Sequence, residues 1–140
     1  MKQYVNLSSD LFSEEIFINY KNQEITFSDF YYNVSSKSRI LTNLELLDNT
    51  RIGILLTNQI DIIELYFSCL QLKKIPIILP ADTTNEQLKI ILNKYKIDFI
   101  ITEWTRKKQI QNIKKVNFQY IQELSSNYGG CASVEFDNNI

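Results

Sequence analysis

The stretch that decides the fold is RIGILLTNQIDIIELYFSCLQLKKIPIILPADTTNEQLKIILNKYKIDFIITE, residues 51–103. Three apolar runs of strand length, at 52–56, 75–79 and 97–102, alternate with two longer segments whose apolar residues recur at helical spacing. A helix between successive strands returns the chain to the same end of the sheet, so the strands pair parallel. The expected fold is therefore α/β: a three-layer, mostly parallel sheet with flanking helices, flavodoxin- or Rossmann-like. The run RIGILL is apolar on both faces and belongs inside the sheet as its central strand. Pro76, near the start of the next run, removes a ladder donor and marks an edge or entry position.

The flanking segments attach to this unit. Upstream, 16–20 and 24–27 are β-prone runs separated by Lys21, Asn22 and Gln23, the size of a hairpin turn. Thr26 followed by Asp29 resembles a capping box, and Phe27, Phe30, Tyr31, Val34, Leu41 and Leu44 then draw an apolar stripe on a helix. Core packing is the first reading of that stripe, and a ligand wall the second. Asn58 is placed to cap the helix through Ile60, Ile63, Phe67 and Leu70, and Thr84 with Gln87 forms a capping box for the helix carrying Leu88, Ile91, Leu92 and Tyr95.

Downstream, Trp104 reads as a lid over the sheet's edge. The basic run RKKQIQNIKK reads as a solvated helix face over a ridge of Ile110 and Ile113, with nucleic-acid binding the minor alternative. Val116, Phe118 and Tyr120 alternate with Asn117 and Gln119, giving a half-exposed strand. The expected organisation is one α/β unit over residues 1–124 and a linker or disordered tail over 125–140.

Composition narrows the chemistry. A chain of 140 residues can bury a core without metal or disulfide, and a net charge of −1 gives no field to gather nucleic acid or an anionic membrane. Cys69 lies in an apolar helical stretch and Cys131 in a Gly- and Ser-containing tail, so a disulfide is not expected and a cytoplasmic location is. No secretory leader or apolar run of membrane-spanning length is present, so no integral membrane association is expected. The absence of histidine removes imidazole acid/base chemistry, Ser/His and Cys/His nucleophile pairs and His-ligated metals. The three glycines, Gly53, Gly129 and Gly130, make no phosphate-loop spacing.

Open α/β sheets bind ligands at the carboxyl ends of their strands. The candidate substrate-binding residues are therefore Thr57, Asn58, Asp82, Thr102 and Glu103, with no catalytic and no metal-ligating residue assigned. Asn58 reads first as a helix cap and second as a ligand contact, and Asp82 first as a loop residue and second as a metal or ribose ligand. Cys69 reads as a buried small hydrophobe, since no base or cation stands near it in sequence.

Several segments carry a family resemblance. ITFSDF at 25–30 resembles the T-[YF]-x-[ED]-[LF] helix start of the adenylate-forming ligases, and NTRIGILLTN at 49–58 their G-D-R-V-[AG]-I-L-L-x-N strand. SCLQLKK at 68–74, TNEQLKIILNKYKIDFIIT at 84–102 and KVNFQYI at 115–121 follow in the family's order and spacing. The chain thus resembles the N-terminal subdomain of an adenylate-forming ligase of acyl-CoA synthetase type. It departs from the family at Leu72 and Lys73, where a small residue and glycine are usual, and in its prolines, since Pro76 and Pro80 do not align with the family's own. IPIIL resembles some bacterial fatty-acyl-CoA ligase-type sequences more than it resembles peptide-synthetase domains.

The resemblance implies a larger enzyme that activates a carboxylic acid, a fatty acid by this reading, with ATP as an acyl-adenylate and passes it to a thiol. ATP, Mg and CoA would serve that parent. The family's nucleotide loop, adenine segment, ribose-binding Asp and C-terminal lysine correspond to positions past Ile140, so this piece is expected to bind no cofactor, to be inactive, and to have the rest of the ligase as its partner. Two other readings use the same pattern: a free-standing flavodoxin-like module binding flavin or nucleotide, and a non-catalytic interaction domain using the sheet edge and the basic helix.

Overall fold

The structure is a computed structural model that describes residues 15–113 and 116–124. The expected tail at 125–140, with Cys131, Gly129 and Gly130, lies outside the described residues, as do residues 1–14 and the lysines at 114 and 115.

The hairpin forms with a tighter turn than expected, since Gln23 already pairs in the second strand and Phe27 opens the helix. β1 (Ile16–Tyr20) and β2 (Gln23–Thr26) pair antiparallel about Lys21 and Asn22, whose φ values of 49° and 65° are those of a two-residue turn that follows the strand twist. Thr26 then caps α1 (Phe27–Thr42), its hydroxyl accepting from the Asp29 amide at 3.1 Å. Beyond it come β3 (Arg51–Ile54), α2 (Gln59–Gln71), β4 (Ile75–Ile78), α3 (Asn85–Lys94) and β5 (Phe99–Thr102). A 3-10 turn (Trp104–Arg106), the short α4 (Lys107–Gln111), β6 (Asn117–Tyr120) and a 3-10 turn (Ile121–Leu124) complete the described chain.

β4, β3, β5 and β6 make one parallel sheet in that order, so β3 is interior and Pro76 lies on an end strand, as the sequence indicates. Each predicted strand runs slightly longer than the assigned one. Leu55 and Leu79 still donate to Ile101 and Ile54 at 2.9 Å, whereas Ile97 donates to Leu92 and ends α3 instead.

The layers follow from side-chain alternation. Ile52, Ile54, Phe99 and Ile101 bury one sheet face against Leu41, Leu65 and Cys69 of α1 and α2. Leu55, Leu79 and Ile100 bury the other against Leu88 of α3 and Ile110 of α4. Gly53 faces this second layer, where a Cβ would stand 3.3 Å from side-chain carbons of both Ile97 and Leu79, so its lack of a side chain makes room for them. The aromatic stripe of α1 is core: Phe30 and Val34 pack with Ile25 and Ile60, and Phe30 meets Phe67 edge-on at 5.5 Å.

Two expectations need correction. Gln119 is 1% exposed, not outward-facing, because the turn after β6 brings the Glu123 carboxylate to accept from its amide. The basic run is not one solvated helix face, since Arg106 closes a 3-10 turn and folds back into ion pairing; Ile110 and Ile113 do form the expected buried ridge. The structure also buries two charged residues of which the sequence reading says nothing, Lys37 and Glu64, at 9% and 2% exposure. Among the described residues no helix is long and apolar enough to cross a membrane.

Candidate functional site

The chain runs from β3 out to β4 on one side and then crosses back to β5 on the other. Helices α2 and α3 cover opposite faces, so the strand order reverses between the carboxyl ends of β3 and β5, the position at which open α/β sheets form a ligand crevice.

The sequence candidates separate there into distinct settings. Thr57 and Glu103 meet at that position: the Thr57 hydroxyl donates to the Glu103 carboxylate at 2.7 Å, and the Thr57 amide donates to its other oxygen at 3.1 Å. Asn58, next in sequence, turns its carboxamide oxygen to the amides of Ile60 and Asp61 at 2.9 and 3.1 Å, which is the capping role. Thr102 is fully buried, and its hydroxyl donates to the Leu55 carbonyl at 2.9 Å, tying β5 to the end of β3. Asp82 is exposed in the loop after β4, on a shallow hollow of about 510 Å³ lined also by Thr83, Thr84, Gln87 and Ile91.

Arg106, which the sequence reading passed over as one of a basic run, joins these settings. Its Nε donates to Glu103 at 2.9 Å, and one terminal nitrogen, Nη2, donates both to the Ala81 carbonyl at 2.7 Å and to the Thr57 hydroxyl at 3.3 Å. Gln109 donates to the Thr83 carbonyl at 2.9 Å, fastening the same β4 loop to α4. Three loops, after β3, β4 and β5, are thus held by one guanidinium–carboxylate pair, both side chains 14% exposed. The signal was present in sequence: an acid and an arginine three apart, directly after a strand.

A second charged group adjoins the first. Asp61, in the opening turn of α2, has its pKa raised chiefly by burial, with Glu64 and Glu103 adding to the rise and Lys37 opposing it. Glu64 accepts from Lys37 at 2.7 Å and from Asn33 at 2.8 Å, and Asp61 lies 4.0 Å from the same ammonium. Asp61, Glu64 and Glu103 are three carboxylates against two cations, Lys37 and Arg106, so the group carries a net negative charge and does not favour a polyphosphate. Cys69 is fully buried and its thiol is pushed up to about 12 by desolvation, which agrees with an inert core role.

A family model described as AMP-binding enzyme matches residues 8–132. The chain belongs to that family. Comparison with curated protein sequences finds no match. Among solved structures, o-succinylbenzoate coenzyme A synthetase (MenE) from Bacillus subtilis, in complex with ATP and magnesium ion, superposes with a TM-score of 0.76 at 20% identity, over 86% of this chain and 33% of that one. The same enzyme with the acyl-adenylate intermediate OSB-AMP also matches with a TM-score of 0.76, over 25% of its chain. The N-terminal subdomain of Klebsiella oxytoca NpsA, in complex with 3-hydroxybenzoyl-AMSN, gives a TM-score of 0.75 at 9% identity, over 89% of this chain and 30% of that one.

The chain therefore spans about a third or less of the solved proteins it matches, and it has the fold of the N-terminal subdomain of an AMP-binding ligase. The family's usual glycine at 73 now has a physical reason. Lys73 has φ 59°, and the amide after it donates back to Cys69 at 2.8 Å, so the position terminates α2 in the left-handed conformation that glycine adopts without strain.

Proposed function

We propose that this AMP-binding-family unit is the first α/β layer of a cytoplasmic ligase that converts a carboxylic acid and ATP into an acyl-adenylate and transfers the acyl group to a thiol. The supporting observation is the family match over residues 8–132. In this reading the unit supplies walls and loop anchorage. ATP, magnesium and coenzyme A are held by other parts of the enzyme.

The chemistry of the described residues supports that division. Polyphosphate binding needs converging backbone amides or unpaired cations. Gly53 is the one glycine among the described residues and is buried within β3, while Arg106 is engaged with Glu103, Thr57 and Ala81. Fatty acids are the acid class we assign, on the resemblance of IPIIL to fatty-acyl ligase sequences. The MenE and NpsA complexes, with o-succinylbenzoate and 3-hydroxybenzoyl ligands, make aryl acids the comparison to test.

The test is acid-dependent ATP–pyrophosphate exchange. The purified 140-residue chain should show none, and the longer polypeptide that carries it should exchange with fatty acids in preference to benzoates. Exchange by the 140 residues alone overturns the division of labour, and no exchange by the longer polypeptide with any acid overturns the ligase assignment.

A further inference from the structure

Glu103 lies on a set of donors that would serve any oxyanion. Its two oxygens accept from the Thr57 amide at 3.1 Å, the Thr57 hydroxyl at 2.7 Å and the Arg106 Nε at 2.9 Å. A backbone amide, a hydroxyl and a guanidinium converging on one point are the groups with which proteins hold a free carboxylate or phosphate. Here the anion they hold is a side chain of the same protein.

The donors do not depend on Glu103 for their own placement. Arg106 is held from its far end, where Nη2 donates to the Ala81 carbonyl at 2.7 Å and Nη1 to the Gln109 Oε1 at 3.4 Å. Gln109 is in turn bonded to the Thr83 carbonyl at 2.9 Å. Thr57 stands between the buried Leu56 and the Asn58 cap of α2, which fix its backbone on both sides. Without the Glu103 carboxylate the donors would therefore keep their positions and face an empty place. The local charge would change as well: Asp61, Glu64 and Glu103 stand against Lys37 and Arg106, whereas without Glu103 the remaining carboxylates and cations balance.

We infer that Thr57 and Arg106 form an oxyanion site that Glu103 fills from within the chain, a built-in occupant that bars the carboxylate or phosphate group of a ligand from the carboxyl ends of β3 and β5. A tethered carboxylate competes as an intramolecular ligand, and its charge repels a second anion at the same donors. Glu103 is thus a residue that sets which ligands this end of the sheet accepts. The inference agrees with nucleotide phosphates being held elsewhere in a ligase and does not depend on the ligase reading.

Phosphate binding read at the Thr57 amide tests it, by nitrogen–proton NMR of the 140-residue chain at constant ionic strength. In the parent chain the Thr57 resonance should not respond to phosphate up to about 50 mM. In Glu103→Ala it should shift and saturate with a midpoint at or below about 5 mM, at least about tenfold tighter than the parent, and acetate should act likewise. Glu103→Gln keeps the bulk of the side chain and so folds where the truncation fails; it should also saturate, at higher phosphate than the alanine variant. Adding Arg106→Gln to Glu103→Ala should abolish the saturation. A parent chain that binds phosphate as tightly as the variants overturns the exclusion. An unmoved Thr57 amide in the Glu103 variants that fold by circular dichroism overturns the site, as does saturation that survives Arg106→Gln, which assigns the phosphate to another cation.

Discussion

Replacing Lys37 by methionine removes the cation that serves the most buried carboxylate in the described residues. The Glu64 side chain is 3% exposed and that of Lys37 11%, and their polar atoms stand 2.7 Å apart between α1 and α2. In Lys37→Met, Glu64 keeps the Asn33 amide on one oxygen but loses the partner of the other, and it shares the site with Asp61. Breaking a buried pair at one partner costs about 3–5 kcal/mol, most of it the desolvation of the stranded charge. A domain of this size has about 5–15 kcal/mol in total, so the variant still folds with its margin sharply cut. With a urea slope of about 2 kcal/mol per molar, the midpoint should fall by about 1.5–2.5 M. The double variant Lys37→Met with Glu64→Leu leaves only the one-third-exposed Asp61 without its cation and should recover to within about 1 kcal/mol of the parent chain. Urea unfolding followed by far-UV circular dichroism of the three proteins measures both numbers. A single variant that shifts the midpoint by less than about 0.5 M, or a double variant as unstable as the single, would refute the desolvation argument.

Other expectations are as direct. Lys73→Gly relieves a left-handed lysine at the end of α2 and should raise the melting temperature by about 3 °C, read by calorimetry; a fall contradicts the strain assignment. Asp61 carries a raised pKa, so its ionisation weighs against the folded state above that pKa, and stability from this group returns as pH falls toward the ordinary value of 3.8. Asp61→Asn should therefore stabilise most at neutral pH, with an advantage that fades by about pH 4 in urea titrations at several pH values. Arg106→Ala removes the donor to the Ala81 carbonyl and leaves the Glu103 carboxylate to Thr57, and amide exchange across residues 81–84 should accelerate while that of β3 stays unchanged. Cys69, its thiol pushed up to about 12, should resist alkylation in the folded chain and react once urea unfolds it.

Much of the fold was legible because its determinants are local. The strand runs at Ile52 and Ile75, the Asn58 cap and the Thr84–Gln87 capping box each sit within a few residues of what they specify, and each is found in place. Placing candidate ligand residues at the strand ends was also possible, since the order of elements alone locates those ends. The partnerships were not legible. Lys37 meets Glu64 across 27 positions and Arg106 meets Thr57 across 49, distances over which a charged residue in sequence looks the same whether solvated or buried. Hints existed in the pattern, for Lys37 lies on the stripe of Val34 and Leu41, and Glu64 on that of Ile60 and Phe67.

By itself, then, the sequence determined the parallel sheet, its flanking helices and their caps, because hydrophobic period and capping chemistry act over one or two turns. Only the tertiary structure decided which charges are buried together, that Gln119 turns inward, and that Arg106 fastens three loops. Those outcomes depend on which distant elements share a face, and a side chain's surroundings are set by packing partners that no local window contains.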